Sequence, residues 1–252
     1  MHSDVSELST FYARPLGGMV RRLITPRVRA RWRNTAGMTI VGLGFATPYL
    51  GAFRGECSAL GALMPAGQGV VHWPDGGPGQ TALIEDEAIP LADNSVDRLL
   101  AVHSLEVSDN PRLLLREMWR VLRPEGRLMI VVPNRRGQWA RSDQTPFGQG
   151  RPYSKAQLER LLKPLLLTPV DWGSALFIPP TERRIVLRYA TAIERAGARL
   201  MPAFSGLVLV EARKEVEALI GTAEAQPAAR RLQALQVGPS SSRKAPRPLV
   251  AA

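Results

Sequence analysis

The stretch TIVGLGFATPYLG, at residues 39–51, places two glycines at the point where a short apolar run ends. Gly42 and Gly44 have no Cβ atom, so the backbone N–H groups of such a turn can approach a ligand closely. A glycine turn directly after a strand is typical of nucleotide cofactor sites, and a tight turn without a ligand is the alternative. We interpret this turn as a candidate cofactor loop.

His103, in the stretch HSLE, is the candidate catalytic residue. Histidine changes its protonation state near neutral pH, so it could act as a general base toward a hydroxyl or an amine. A polar wall or a backbone contact is the alternative role.

The single cysteine, Cys57, excludes a disulfide within the chain and cannot form a zinc site alone, so we expect no metal site.

A long polar loop, NRRGQWARSDQTPFGQGRPYS, supplies the candidate substrate-side residues. Arginines and aromatic side chains together suit an anionic or planar molecule such as a phosphate, a carboxylate or a nucleobase. We therefore assign to the substrate side Arg135, Arg136, Trp139 and Tyr153. The alternative is a structured lid that local hydrogen bonds hold in place.

Alternating strand and helix patterns must position these residues. We predict strands at 38–43, 58–64, 81–87, 97–102, 127–133, 166–178 and 205–214, and helices at 49–55, 111–122, 154–163 and 181–197. This order predicts an α/β fold with a doubly wound, mostly parallel, seven-stranded sheet. Ligands of such sheets lie at the carboxyl ends of the strands, so the candidate residues should surround one cleft.

The ends of the chain are basic, and the formal net charge is +11. We predict a helical segment at 1–36, an α/β domain at 37–215 and a disordered, Pro/Ala/Ser-rich tail at 216–252. The basic ends could attract nucleic acid, anionic lipid or acidic ligands. The sequence contains neither an apolar run long enough to span a membrane nor a secretory signal, so we expect a cytoplasmic protein.

Two later stretches resemble the class I S-adenosylmethionine-dependent methyltransferases, in the branch with a methyltransferase type 11-like domain. They are IEDEAIPLADNSVDRLLAVHSLE at 84–106 and LLREMWRVLRPEGRLMIVVPN at 113–134. The resemblance implies a Rossmann-like methyltransferase fold, S-adenosylmethionine as the cofactor and methyl transfer to a small-molecule acceptor. The methyl group needs in-line attack, so positioning supplies much of the rate.

The same resemblance assigns cofactor-binding positions. The loop at Gly42, Gly44 and Ala46 would contact the methionine part, and the backbone at His103 would flank the sulfonium. Near the ends of the neighbouring strands, the ribose and adenine positions would fall at Leu63, Glu85 and Asp86.

The sequence departs from the family pattern in the cofactor loop and in the second strand. Gly42 stands where the family has an acid, and Ala46 and Pro48 stand where it has glycines. The ribose-binding acid is missing near Leu63, and the loss of one charge-assisted hydrogen bond costs about 1.5–3 kcal/mol.

Three functions therefore stay open. The first is methyl transfer to a small, anionic or aromatic acceptor. The second is a degenerate methyltransferase fold that binds a ligand or a partner without catalysis. The third is RNA methylation, which the basic ends favour.

Overall fold

A seven-stranded sheet forms the centre of the protein. The computed structural model describes residues 4–85 and 88–216. Its strands are β1 (Thr39–Gly44), β2 (Ala59–Pro65), β3 (Thr81–Ile84), β4 (Val96–Val102), β5 (Leu122–Pro133), β6 (Leu167–Ala175) and β7 (Leu207–Lys214). Their spatial order is β3-β2-β1-β4-β5-β7-β6, and only β7 runs antiparallel to its neighbours. The predicted mostly parallel, doubly wound sheet is confirmed.

Helices cover both faces of the sheet. They are α1 (Val5–Ala13), α2 (Pro15–Arg31), α3 (Thr47–Leu50), α4 (Pro111–Val121), α5 (Lys155–Leu162), α6 (Arg184–Arg188) and α7 (Ala190–Leu200). Short 3₁₀ turns occur at Gly51–Phe53, Trp139–Arg141, Pro146–Gly148, Lys163–Leu165 and Pro202–Phe204. No helix in the described ranges is long and apolar enough to cross a membrane.

The central strands are buried on both faces, as the nearly continuous apolar run in β5 indicates. Leu100 pairs with Met129, and Val102 pairs with Val131. Alternate residues of each strand belong to two apolar clusters: Met129 and Val131 lie in one, and Ile130 lies in the other. The sheet therefore supports a rigid carboxyl edge.

The N-terminal helices share this core. Leu8 of α1, Met19 and Ile24 of α2, and Trp32 after α2 are buried in the same apolar cluster as Met129 of β5. The Trp32 indole N–H also donates to Glu211 of β7. The predicted tail after Val216 and the candidate residue Asp86 lie outside the described residues, and the domain division stays a prediction.

Arg120 on α4 fixes the loop that leads into β4. Its guanidinium donates to the carbonyl oxygens of Ile89 and Leu91 at 2.7 and 2.8 Å, and it forms ion pairs with Asp93 and Glu117. Glu117 in turn accepts a hydrogen bond from the Ile89 N–H. Residues of the two stretches that carry the family resemblance therefore stabilise one loop through contacts within the protein.

Arg120→Ala should lower the free energy of unfolding by about 2–3 kcal/mol, because two carbonyl oxygens and two carboxylates lose a charged donor. Urea unfolding measures this difference. Arg116→Ala is the matched control, since Arg116 is exposed on the same helix. Equal stability of the two variants would contradict the role of Arg120.

Glu117 should make part of the stability depend on acid pH. Hydrogen bonds from Arg120 hold the pKa of Glu117 below its ordinary value of 4.5. The Glu117 carboxylate therefore binds a proton less readily in the folded state than in the unfolded state. Its contribution to the free energy of unfolding is complete above the unfolded-state pKa and is lost as the pH falls through the lower folded-state pKa. The stability gap between wild type and Glu117→Gln should narrow as urea unfolding is repeated below about pH 4. A gap that stays constant with pH would refute this assignment.

Candidate functional site

The turn after β1 lies directly against the end of β4. Gly44 has a φ of +74°, and a Cβ atom at this position would lie 2.3 Å from the Val102 carbonyl oxygen. The Phe45 N–H donates to the same oxygen at 2.8 Å. Gly44 is therefore required for the close approach of the two strand ends.

Gly42 has a packing role of its own. A Cβ atom at Gly42 would lie 2.7 Å from both the Ala46 Cβ and the Leu50 Cδ1 atoms. An acid at this position, as in the family pattern, would collide with α3. Ala46 is fully buried immediately before α3.

The other predicted cofactor residues lie farther along the carboxyl edge. Leu63 is buried in the apolar cluster that contains Leu43 and Ile84, so its side chain belongs to the core. Glu85 is exposed just after β3. Because β2 lies between β1 and β3, the edge brings Gly42, Gly44, Ala46 and His103 together and leaves Glu85 at its margin.

A chain of buried polar side chains runs along the end of β4. His103 is 2% exposed, and its Nε2 atom lies 3.0 Å from the Tyr12 hydroxyl, which also contacts the Tyr49 hydroxyl at 2.8 Å. On the other side of the ring, Nδ1 lies 3.4 Å from Glu106 Oε1. Tyr49, Tyr12, His103 and Glu106 thus form one connected series in the protein interior.

The hydroxyl groups in this series stay protonated. Burial, reinforced by Tyr49, raises the pKa of Tyr12 well above its ordinary value. Burial likewise raises the pKa of Tyr49. The protonated Tyr12 hydroxyl can donate to one of its two neighbours, the Tyr49 hydroxyl or His103 Nε2, and accept from the other.

Helix α1 covers this part of the sheet edge. The Val5 N–H donates to the Gln68 carbonyl oxygen at 2.7 Å, so the helix begins over the turn after β2. The Tyr12 ring stacks on Phe45 with centroids 5.6 Å apart, and Phe147 lies against the His103 ring at 4.5 Å. The crevice between β2, β1 and β4 is closed by side chains in this conformation.

Gln68 reaches across the closed crevice. This residue follows β2, is 2% exposed, and donates its side-chain amide to the His103 carbonyl oxygen. Gln68 therefore connects the end of β2 with the end of β4, past the turn at Gly44.

Several buried polar atoms at this edge have no hydrogen-bond partner among the described residues. They are Gln68 Oε1, Ser104 Oγ, Ser108 Oγ and both carboxylate oxygens of Glu106. Buried polar groups are nearly always hydrogen-bonded in folded proteins, because an unpaired one costs free energy. Their concentration at the ends of β2 and β4 marks a place that can receive a polar ligand.

The long loop after β5 divides into anchors and surface residues. Trp139 is fully buried and donates to the Ile178 carbonyl oxygen at 2.7 Å, and Tyr153 is buried with its hydroxyl donating to the Leu105 carbonyl oxygen. These two aromatic side chains therefore hold the loop in place through contacts with distant segments, and their assignment to the substrate side stays a prediction. Arg135 and Arg136 remain exposed, and Arg136 lines a cavity of about 450 Å³.

Sequence reasoning missed Tyr12 and Gln68. Tyr12 is 91 residues from its partner His103, and no local pattern predicts that contact. Gln68 could have been found, because it is the first polar side chain after the predicted second strand.

Gly44→Ala should destabilise the protein by at least about 2 kcal/mol, because the new methyl group would strain a left-handed residue and displace the end of β4. Gly51→Ala is the matched control: a Cβ atom there meets nothing within 4 Å, and φ is −54°. We expect the control to be neutral or slightly stabilising. Thermal unfolding of the two variants measures the difference, and similar melting temperatures would disprove the close approach.

Comparison with known sequences identifies one domain pattern. Residues 76–130 match a family model described as a methyltransferase domain. The match begins before β3 and ends within β5, so it contains β4 and α4. No curated protein sequence matches the chain.

Solved structures share the fold across most of the chain. One is a methyltransferase of Haloferax volcanii in complex with the Trm112 methyltransferase activator. It is 18% identical with a TM-score of 0.59, and the match covers 83% of this chain and 98% of that one. Another, from Thermotoga maritima, is an S-adenosylmethionine-dependent methyltransferase. It is 15% identical with a TM-score of 0.57, and the match covers 84% of this chain and 96% of that one. A third is the [4+2]-cyclase SpnF. It is 20% identical with a TM-score of 0.53, and the match covers 77% of this chain and 80% of that one.

These identities are low, so the structural likeness establishes the fold, and the matched segment adds the sequence pattern of the central strands. Both agree with the resemblance that the sequence shows at 84–106 and 113–134. The chain therefore has the class I methyltransferase fold and carries the methyltransferase domain pattern from residue 76 to residue 130.

Proposed function

We propose that this protein binds S-adenosylmethionine at the carboxyl edge of its sheet and transfers the methyl group to a small aromatic or anionic acceptor. The observation that supports this proposal best is the group of buried, unpartnered polar atoms of Gln68, Ser104 and Glu106 beside the turn at Gly44. A polar ligand could satisfy such atoms, and they lie where α/β sheets of this kind bind cofactors.

The residues at this edge fit the cofactor. Backbone N–H groups of the turn at Gly44 would contact its methionine part, and the unpartnered Gln68 Oε1 would accept a hydrogen bond from a ribose hydroxyl in place of the missing acid. Glu85 would receive the adenine amino group, and the assignments of Ala46, Leu63 and Asp86 stay predictions from the resemblance. When bound, S-adenosylmethionine supplies an electrophilic methyl group.

His103 and Glu106 would serve the acceptor. Once Tyr12 moves away, His103 Nε2 is free to accept a proton from an acceptor hydroxyl, and Glu106 beside Nδ1 would stabilise the resulting imidazolium. The Tyr12 hydroxyl, 3.0 Å from Nε2 in the closed conformation, stands in for the hydroxyl of such an acceptor. A phenol-like acceptor would reproduce both the hydrogen bond and the aromatic contact with Phe45. Exposed Arg135 and Arg136 would attract an anionic one.

Cofactor binding requires helix α1 to leave the crevice. A protein whose competent state is a small fraction of the population binds with an affinity reduced by that fraction. The hydrogen bonds of Tyr12 and the contact of Val5 with Gln68 favour the closed state. Affinity for the cofactor should therefore increase whenever these contacts are weakened.

A non-catalytic role is the second candidate, and the closed crevice favours it. The side chains of Tyr12, Gln68 and Phe147 pack against His103 and close the crevice at the end of β4. The similar fold of the cyclase SpnF also illustrates that this architecture supports chemistry other than methyl transfer. In this case the family acids would have been lost because nothing binds there.

Binding of labelled S-adenosylhomocysteine distinguishes the two candidates. Tyr12→Phe keeps the ring and removes two hydrogen bonds of the closed state, each contributing about 1 kcal/mol, so it should bind about 10- to 30-fold more tightly than wild type. Tyr189→Phe is the matched control, because Tyr189 is exposed. If neither wild type nor Tyr12→Phe binds at millimolar concentration, methyl transfer is excluded and the non-catalytic role is favoured.

A further inference from the structure

Residues 183–204 form a surface with an unusual combination of exposed apolar and basic side chains. Ile185 is 73% exposed, Leu200 is 75% exposed and Phe204 is 61% exposed. Tyr189 and Met201 are more than half exposed as well. Large apolar side chains on a folded surface mark interaction sites when they form a continuous group.

The inner face of this segment is firmly attached to the protein. Glu194 is buried and accepts hydrogen bonds from the N–H groups of Leu176 and Phe177, and it forms an ion pair with Arg27 at 2.7 Å. At Gly197, a Cβ atom would lie 2.3 Å from the Phe177 Cβ atom. Helix α7 therefore lies against the core with its buried face at Glu194 and Gly197, and the opposite face is exposed to solvent.

The outer face is divided lengthwise into a basic and an apolar half. The surface consists of two consecutive helices, α6 and α7, which meet at Tyr189. Residues three or four apart share one side of a helix, so the arginines form one line and the apolar residues form the adjacent line. The basic line consists of Arg184, Arg188, Arg195 and Arg199. The apolar line consists of Ile185, Tyr189, Ala192, Ala196 and Leu200, and Met201 and Phe204 follow at the helix end.

These arginines are available to an external partner. In residues 4–85 and 88–216, none of the four forms an ion pair with a carboxylate. Arg188 also lines a groove of about 310 Å³ against α2, together with Arg22, Arg27 and Thr191. Arg27 is neutralised by Glu194, but Arg22 and Arg188 extend positive charge from the outer face into a groove that could hold an anionic headgroup.

We propose that residues 183–204 dock the protein onto an anionic phospholipid surface. A helix with arginines along one side and large apolar residues along the other lies in the membrane interface, where the apolar side enters the acyl boundary and the arginines contact headgroups. Nucleic acid would match the arginines and leave Ile185, Leu200 and Phe204 exposed to water. The membrane accounts for both halves of the surface, and the proposal does not depend on methyl transfer.

Co-sedimentation of the full chain with phosphatidylcholine vesicles, with and without phosphatidylglycerol, tests this proposal. We expect binding to the anionic vesicles only. Arg195→Ala/Arg199→Ala should weaken it about 25-fold, since each basic residue near an anionic surface changes binding about fivefold. Arg112→Ala/Arg116→Ala, with two exposed arginines of α4, is the matched control and should leave binding nearly unchanged.

A second variant separates this surface from the basic C-terminal sequence, which could attract lipid through charge alone. Ile185→Ser/Leu200→Ser keeps every charge, and both sites are exposed, so the fold should be retained. We expect at least a tenfold loss of vesicle binding. The proposal is overturned if wild type ignores anionic vesicles, if this variant binds as well as wild type, or if the arginine variant loses affinity for RNA and keeps its affinity for vesicles.

Discussion

The hydrogen bond between Tyr12 and His103 joins the N-terminal helix α1 to the carboxyl edge of the sheet, where the candidate site lies. A parallel sheet leaves its carboxyl ends open, and ligands usually fill that space. In this protein the chain fills the space itself: α1 places Tyr12 over the end of β4 and begins over the turn that carries Gln68. The role of every other residue at the carboxyl edge depends on whether helix α1 moves away from it.

The residues that produce the family resemblance serve mainly the scaffold. Arg120 and Glu117 fix the loop before β4, and Gly44 allows two strand ends to meet. These constraints act whether or not a cofactor binds, so a degenerate protein would retain them. The departures from the family pattern lie in the cofactor loop, at Gly42, Ala46 and Pro48, and in β2 near Leu63. Fold and function are therefore separable here, and the function depends on the crevice.

Local patterns predicted the sheet and the central helix well. Pro111 and the apolar spacing placed a helix at 111–122, and the structure has it at Pro111–Val121. The apolar run placed a strand at 127–133, and the observed β5 begins earlier because Leu122 pairs with Val96. Both elements bury apolar side chains, and the spacing of these side chains can be read directly from the sequence.

Contacts between distant segments could not be predicted in this way. Nothing near Tyr12 indicates that it meets His103, and nothing near Trp139 indicates that it is buried against Ile178. The loop composition that suggested a substrate surface at Trp139 and Tyr153 equally suits a loop anchored by aromatic side chains. Helical spacing within 184–200 does contain the basic and apolar lines, but only the packing of Glu194 and Gly197 shows which face is outward.

Hydrogen exchange of the full chain, with and without S-adenosylhomocysteine, tests the central claim most directly, namely that α1 covers a cofactor site. If the claim holds, amides of residues 5–13 should exchange faster with the ligand present, while amides near Gly44 and His103 should exchange more slowly. Unchanged exchange in all three regions at saturating ligand concentration would contradict the claim.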